Sequence, residues 1–171
     1  MKHLLLLGTG GTIACKRGEN GLTPLLTGDE LLSYVPDAKK FCEVETVQVL
    51  NIDSTNMHPK HWLKLAQVLE ENYDDYDGFV ICHGTDTMAY TASMLCFMLK
   101  NPPVPVVLTG SQVPIAHPLT DAVLNLRCAF AMAESGRPGV FVAFDRKIIL
   151  GCRAVKVRTT GFDAFESVNC H

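Results

Sequence analysis

Five strand-like segments, separated by amphipathic stretches, constrain the fold of this chain more than any other feature. Four of them are short and apolar throughout, which is typical of strands covered on both faces, and one is alternating and β-branched. The five segments are Leu4–Leu7, Glu43–Leu50, Phe79–Cys82, Val104–Leu108 and Val140–Phe144. Alternation of strand and helix along a chain predicts a doubly wound α/β fold, with a mostly parallel sheet and helices on both faces.

Signals for helix ends lie between these strands. The segment Thr27–Glu30 has a capping-box signature and predicts a short helix that continues to about Tyr34. Pro59 suits the first turn of a second helix, after which apolar residues recur at helical spacing. Further predicted elements are helices at 86–99 and 120–134 and a hairpin or edge strands at 148–158.

Composition excludes several classes of function. Charged residues make up 19% of the 171-residue chain and its net charge is −3, so neither nucleic acid nor a membrane surface is an expected partner. A typical domain is about one-quarter charged, and the shortfall predicts extra buried area such as an oligomer interface. No apolar stretch approaches the roughly 18 residues of a membrane span. The seven cysteines lack CxxC spacing and predict reduced thiols in a cytoplasmic protein, with no disulfide framework and no zinc site.

The loops that follow the predicted strands are where a ligand is expected, because ligands of open α/β sheets bind at the carboxyl ends of strands. The four loops are Gly8–Ala14, Asn51–Met57, His83–Thr87 and Thr109–Pro118. The first is glycine-rich and carries Thr12, which is suited to act as a nucleophile beside backbone N–H groups or to cap a turn. A nucleotide site is disfavoured, because the G-x-G-x-x-G pattern requires a glycine where the chain has Ile13.

The remaining loops supply polar side chains for both charges of an amino acid. Asp53 and Ser54 suit an α-carboxylate or an α-ammonium group, and equally a helix cap. Thr85 and Asp86 open a helix whose N-terminus attracts anions, while the Asp86 carboxylate attracts a cation. Lys156 beside Asp86 is a candidate base, and a solvated lysine is the alternative interpretation.

Several loops resemble the signatures of the bacterial-type L-asparaginase/glutaminase family, most closely its cytoplasmic, type I branch. The two signature segments are Thr9–Ile13 and His83–Thr87. The likeness covers essentially the whole chain and continues through Asp53–Ser54, Tyr76–Val80, Met88–Ala92, Thr109–Gln112 and Gly161–Phe165. The resemblance implies that residues 1–171 form the N-terminal catalytic domain of an amidohydrolase. Such an enzyme converts a side-chain amide to a carboxylate and ammonia without a cofactor.

The resemblance also implies catalytic roles. Thr12 matches the nucleophile of the family, and Thr85, Asp86 and Lys156 resemble its Thr-Asp-Lys set, which supports proton transfer. An amide is a poor electrophile and its nitrogen is a poor leaving group. Passage through an acyl-threonine, with the oxyanion held by turn amides, makes each step easier.

Substrate-holding positions follow from the same likeness. Ser54 and Asp86 match the residues that hold the α-carboxylate and the α-ammonium group, and Thr85 and Asp53 belong to the same matched segments. Ser111 matches the position whose backbone lies beside the substrate amide. The expected substrate is asparagine; selectivity against glutamine depends on room for one methylene and stays open on the sequence.

Departures from the family pattern lead to further expectations. Leu22 stands where family members usually carry a tyrosine near the nucleophile, and a leucine relays no proton. The surrounding segment 17–24 is predicted to be a mobile lid. Family chains are roughly twice this long, and their smaller C-terminal domain, absent here, completes the active site of a neighbouring subunit. We therefore expect a dimer or tetramer for the full-length protein and weak or no activity for this chain alone.

Alternative functions stay open on the sequence. A glutamine-preferring amidohydrolase and the amidotransferase subunit that shares this fold are the nearest. The amidotransferase subunit normally has an extra domain in front, whereas here the first strand begins at once. A catalytically silent amino-acid-binding module is another alternative, favoured by Leu22 and by the missing half.

Overall fold

A six-stranded sheet organises the part of the chain that the structure describes. The computed structural model describes residues 1–18 and 21–169, and of residues 17, 18 and 21–24 it describes only the backbone. The strands within the described residues are β1 (Lys2–Gly10), β2 (Cys15–Gly18), β3 (Gly21–Pro24), β4 (Cys42–Ile52), β5 (Gly78–Cys82), β6 (Pro105–Thr109), β7 (Gly139–Phe144), β8 (Lys147–Leu150), β9 (Ala154–Lys156) and β10 (Phe165–Ser167).

The order of the strands creates a switch point in the middle of the main sheet. The order is β4-β1-β5-β6-β7-β8, with the first five strands parallel and β8 antiparallel to β7. The chain leaves β1 for the β4 edge and returns on the other side of β1 to form β5, so the order reverses between β1 and β5. Gly8 pairs with Cys82, so these two strands end at nearly the same level. Ligands of such sheets bind at this reversal, beyond the carboxyl ends of the strands.

Helices cover both faces of the sheet, as the fold class predicted from the sequence requires. The α-helices within the described residues are α1 (Gly28–Ser33), α2 (Pro59–Glu71), α3 (Met88–Met98) and α4 (Ala122–Glu134). Leu4 and Leu6 of β1 belong to the buried cluster that includes residues of α1 and α4. Leu5 and Leu7 belong to the cluster formed with α2 and α3. The run of four leucines is therefore apolar throughout because alternate side chains enter two different cores.

The helix ends follow the local signals of the sequence. The Thr27 hydroxyl accepts a hydrogen bond from the Glu30 N–H at 3.3 Å, and the Glu30 carboxylate accepts one from the Thr27 N–H at 2.9 Å. This reciprocal capping box begins α1 where the sequence predicts it. Pro59 is the first residue of α2, as predicted.

Antiparallel strands near the C-terminus are confirmed, and the structure shows how they pair. β8 pairs with β7 at the edge of the main sheet, whereas β9 pairs with β10 in a separate small sheet. A further antiparallel pair, β2 with β3, was not predicted. Residues 19 and 20 and the side chain of Leu22, which belong to the predicted lid, lie outside what is described, so that prediction stays untested. Within the described residues, no helix is both long enough and apolar enough to cross a membrane.

Candidate active site

A cavity of about 160 Å³ lies at the switch point between β1 and β5. The loops that follow β1, β4 and β5 line it. Five residues predicted for the site are among its lining residues: Thr12, Asp53, Ser54, Thr85 and Asp86. Sites for drug-sized ligands are usually about 300–1,000 Å³, so this cavity suits a much smaller molecule.

Glycines let the three loops approach closely enough to enclose this cavity. Gly11 has a φ of 76°, in the left-handed region, and a Cβ on it would collide with the backbone of Gly84. A Cβ on Gly84 would lie 2.6 Å from the Cβ of Ser54. Any larger residue at these positions would push the loops apart and open the cavity.

Threonine hydroxyls join the loops across strand boundaries. The Thr9 hydroxyl donates to the carbonyl oxygen of Cys82 at 2.8 Å and connects the end of β1 to the end of β5. The Thr87 hydroxyl donates to the carbonyl oxygen of Ser54 at 2.8 Å and connects the loop after β5 to the loop after β4. These buried and half-buried hydrogen bonds fix the loops relative to one another.

Lys156 reaches the cavity through Thr85. Its Nζ donates to the Thr85 hydroxyl at 2.8 Å and to Asp86 Oδ1 at 2.7 Å. The lysine side chain is only 15% exposed, whereas that of Asp86 is 56% exposed. The structure thus brings Lys156 into one hydrogen-bonded group with Thr85 and Asp86, which lie 71 and 70 residues before it in sequence.

Gln112 completes this group on its other side. The Thr85 hydroxyl donates to Gln112 Oε1 at 3.2 Å, and Gln112 Nε2 donates to the carbonyl oxygens of Thr159 and Gly161 at 3.0 Å each. Those two carbonyls can only accept, so they fix which end of the amide faces Thr85. The Thr85 proton consequently points to Gln112, and its oxygen accepts from Lys156.

The remaining predicted residues differ in their local roles. Asp53 Oδ1 accepts from both the N–H and the hydroxyl of Thr55 at 2.9 Å, so this carboxylate caps a short 3₁₀ turn while it lines the cavity. Ser54 is buried at the cavity wall. The Ser111 side chain is fully buried and donates to the carbonyl oxygen of Val113 at 2.6 Å, so it faces its own loop.

A buried histidine, His83, is the first residue of the loop after β5. His83 Nδ1 donates to the carbonyl oxygen of Gly84 at 2.7 Å, because a carbonyl can only accept. Its Nε2 then accepts from the Thr91 hydroxyl at 2.9 Å, and that hydroxyl in turn accepts from Trp62 Nε1 at 2.9 Å. Burial lowers the pKa of His83 to about 4. The ring is therefore neutral at physiological pH, and the chain of hydrogen bonds anchors the loop to α2 and α3.

Sequence reasoning missed two residues of the site, Cys15 in the cavity wall and Gln112 beside Thr85. The Cys15 thiol donates to the carbonyl oxygen of Gly11 at 3.4 Å. Burial, together with the negative charge of Asp53, raises the pKa of this thiol. Gln112 was named only as the end of the matched segment Thr109–Gln112. The sequence did not mark these roles, because the groups that give them, Asp53 for Cys15 and Thr85 for Gln112, are distant in sequence.

The arrangement provides hydroxyls and two carboxylates around a small polar space, with the Lys156 side chain hydrogen-bonded to Thr85 in its wall. Within residues 1–18 and 21–169, no group of three or more His, Cys, Asp or Glu side chains is placed to hold a metal ion. The groups that are present suit acyl transfer, with hydroxyl nucleophiles beside groups that can move protons.

Comparison with known proteins decides the family. The family model described as the N-terminal part of asparaginase matches residues 3–171. The chain belongs to the asparaginase family. This confirms the likeness inferred from Thr9–Ile13 and His83–Thr87.

Individual asparaginase-family relatives match along nearly the whole chain. An L-asparaginase from Thermococcus kodakarensis is 48% identical over 97% of this chain and 51% of its own length. The structure of the thermostable enzyme from that organism matches with a TM-score of 0.93 and 47% identity, over 99% of this chain and 52% of that one. A structure described as a probable cytoplasmic L-asparaginase from Campylobacter jejuni has a TM-score of 0.87 and 34% identity, over 98% of this chain and 52% of that one.

A relative with a different described function also matches. A glutamyl-tRNA(Gln) amidotransferase subunit from Pyrococcus abyssi is 41% identical over 99% of this chain and 41% of its own length. The chain thus spans about half or less of the length of the asparaginase-family relatives that it matches.

Proposed function

We propose that the protein carrying this chain hydrolyses L-asparagine to L-aspartate and ammonia through an acyl-threonine intermediate. The observation that carries the proposal is the cavity at the switch point, where Thr12, Thr85 and Asp86 converge. Membership of the asparaginase family supports amide hydrolysis as the reaction class.

In the first step, the Thr12 oxygen attacks the carbonyl carbon of the substrate's side-chain amide, and its hydroxyl proton passes to the group formed by Thr85, Asp86 and Lys156. The carbon–nitrogen bond then breaks, and the nitrogen takes up that proton and leaves as ammonia. Water next attacks the ester carbon, which releases aspartate and restores the Thr12 hydroxyl. Backbone N–H groups of the glycine-rich turn before Thr12 are the proposed partners of the transient oxyanion.

Thr85, Asp86 and Lys156 serve proton transfer in this proposal. A proton on Lys156 Nζ lies one hydrogen bond away from the Thr85 oxygen, and Thr85 lines the cavity. The Asp86 carboxylate holds the lysine in place at 2.7 Å. Rotation of the Thr85 hydroxyl from Gln112 towards the cavity would complete a short route from Lys156 to the substrate's nitrogen.

Both ends of the amino acid have proposed partners. Asp86 is more than half exposed, and its carboxylate is available to an α-ammonium group. Ser54 lines the cavity and its carbonyl oxygen accepts from Thr87 at the N-terminal end of α3, where the helix dipole favours an α-carboxylate. Asp53 and the backbone at Ser111 complete the proposed substrate-binding set.

The proposal extends to the location and assembly of the whole protein. We place the protein in the cytoplasm, consistent with the free cysteines among the described residues. We propose that it is a dimer or tetramer, and that chain beyond this domain completes its active site. The 171-residue chain alone is then expected to turn over slowly or not at all.

The amidotransferase relative supports a second candidate function. A subunit that releases ammonia from a glutamine-type amide would use the same nucleophile, and the match to the Pyrococcus abyssi protein extends over 99% of this chain. The two functions differ in the length of the side chain that the cavity must accept.

The test is an ammonia-release assay with L-asparagine and L-glutamine as separate substrates. It is run on this chain and on the longest natural protein that contains it, and aspartate binding is measured by calorimetry. Higher kcat/KM for asparagine in the longer protein supports the proposal, and preference for glutamine favours the amidotransferase alternative. Aspartate binding without turnover of either amide in the longer protein would identify a silent binding module.

A further inference from the structure

Two cysteines that are distant in sequence lie together outside the cavity. Cys96 is on α3, and Cys152 is in the 3₁₀ turn Gly151–Arg153 that packs against this helix. A Cβ on Gly151 would lie 2.9 Å from Cys96 Sγ, so the sulfur is in close contact with the backbone of the turn. Cys152 is the next residue after Gly151, and its thiol is close enough to contribute to a raised pKa of Cys96. Both cysteines are free.

The two thiols differ in their access to solvent. Cys152 is exposed, whereas Cys96 is half-buried. Burial raises the pKa of Cys96 to about 11, so little of it is thiolate at neutral pH. An oxidant in solution therefore meets Cys152 first, with Cys96 held beside it as the second thiol.

We propose that Cys96 and Cys152 form a reversible intramolecular disulfide when the protein meets hydrogen peroxide. The Cys152 sulfur attacks one peroxide oxygen, the oxygen–oxygen bond breaks, and a sulfenic acid and one water result. The Cys96 sulfur then attacks the Cys152 sulfur, the sulfur–oxygen bond breaks, and a second water leaves. The two thiols lose two protons and two electrons, and the peroxide is reduced to two waters.

The position of this bond connects it to the proposed site. The turn that carries Cys152 leads directly into β9, which ends at Lys156. The helix that carries Cys96 begins just after Asp86. A disulfide would therefore tie together the two segments that contribute the Lys156–Asp86 ion pair. The oxidation itself does not depend on the proposed amidohydrolase activity. A negative result for the disulfide would therefore leave the proposed activity standing, and a negative result for the activity would leave the disulfide standing.

The experiment is a peptide map of the purified chain after treatment with hydrogen peroxide. Free thiols are alkylated, and the protein is digested without reductant by trypsin and then chymotrypsin. Chymotrypsin cleaves after Tyr90 and so separates Cys96 from the fully buried Cys82. We expect a linked pair of peptides containing Cys96 and Cys152, two hydrogens lighter than the separate peptides, which disappears on treatment with dithiothreitol.

Matched variants test the pairing. Cys128→Ser changes a partly buried cysteine on α4 and should leave the linked peptide intact. Cys152→Ser and Cys96→Ser should abolish it, and the exposed position of Cys152 makes the first of these the safer variant for folding. The midpoint of thermal unfolding should rise on oxidation by about 5–10 °C in the unaltered chain and not in Cys152→Ser, since the bond closes a long loop.

Three outcomes would overturn the proposal. They are recovery of both cysteines as separately alkylated peptides, conversion of Cys152 to a sulfinic acid without a link, and a Cys152–Cys152 bond between two molecules.

Discussion

The cavity at the strand ends and a larger cavity beside α4 differ in what lines them. The larger one, about 330 Å³, lies between α4 and the 3₁₀ turn Pro36–Lys40. Phe41 and Phe130 contribute to its mostly apolar wall, and its polar contact is an ion pair between Arg127 and Asp37 at 2.8 Å. The strand-end cavity has half this volume but gathers hydroxyls, carboxylates and close-packed glycines from three loops. Between these two cavities, therefore, the convergence of polar groups at the switch point marks the candidate site, and the larger volume does not.

The largest expected effect comes from removing the nucleophile in the smaller cavity. In the longest natural protein that contains this chain, Thr12→Ala should lower kcat/KM for asparagine by at least about 10³-fold, because no hydroxyl remains to form the ester. Aspartate binding, measured by calorimetry, should change little. Thr12→Ser keeps the hydroxyl and should retain part of the activity. Full turnover by Thr12→Ala would mean that the nucleophile is another residue.

The close packing of loops in this cavity gives the next effect. Gly84→Ala should lower the free energy of unfolding by about 3 kcal/mol, since its new methyl group would overlap the buried Ser54 side chain. Urea unfolding of the single variants and of the double variant Gly84→Ala/Ser54→Gly provides a double-mutant cycle. The double variant should lose at least about 1 kcal/mol less unfolding free energy than the sum of the two single losses, because Ser54→Gly makes room for the methyl group. Strictly additive losses would contradict this explanation.

The buried histidine of the loop after β5 predicts a pH dependence of stability. Burial lowers the pKa of His83 from its usual 6.5 to about 4, so the unfolded chain binds a proton that the folded chain excludes. Stability should therefore fall as the pH drops below about 6.5, with a loss of about 2 kcal/mol from this group between pH 7 and pH 5.

Urea titrations at both pH values measure the His83 effect. His83→Asn is the control, because its side-chain amide can still donate to the Gly84 carbonyl but does not titrate. The difference in unfolding free energy between pH 7 and pH 5 should shrink in this variant. An unchanged difference would assign the pH dependence to other groups.

The smallest effect is expected in the larger cavity. Arg127→Gln breaks an ion pair whose side chains are 50% and 37% exposed, and solvent already screens such pairs. The midpoint of thermal unfolding should shift by less than about 2 °C, and amide hydrolysis should not change. A large loss of activity would show that the apolar cavity is coupled to the site. It would contradict the conclusion that only the strand-end cavity serves the reaction.

Local sequence patterns predicted most of the secondary structure. The Thr27 capping box and Pro59 at the start of α2 act within a few residues, so the chain itself carries the whole signal. The predicted helix at 86–99 is shorter in the structure, Met88–Met98, because residues before Met88 form the loop at the cavity. The pair of strands β2 and β3 escaped prediction, since four-residue strands are too short to show an alternating pattern.

Side-chain partners across loops could not be predicted in the same way. The sequence indicated Thr85, Asp86 and Lys156 by family likeness, and the structure supplied the distances that join them. Gln112 and Cys15 were not singled out, because their relevance depends on which distant groups they meet. The Cys96–Cys152 pair is a further case, since CxxC spacing is absent and only packing of the turn at Gly151–Arg153 on α3 brings the thiols together.

The sequence by itself determined the strand and helix alternation, the glycine-rich turn at Gly8–Ile13 and the residue types available at the strand ends. Periodicity, capping and backbone freedom are local properties, and each is readable within a few residues. The tertiary structure alone decided that β1 and β5 lie side by side, and therefore which loops share a cavity. Strand order depends on the packing of helices from the whole chain against both faces of the sheet, and no short segment carries that information.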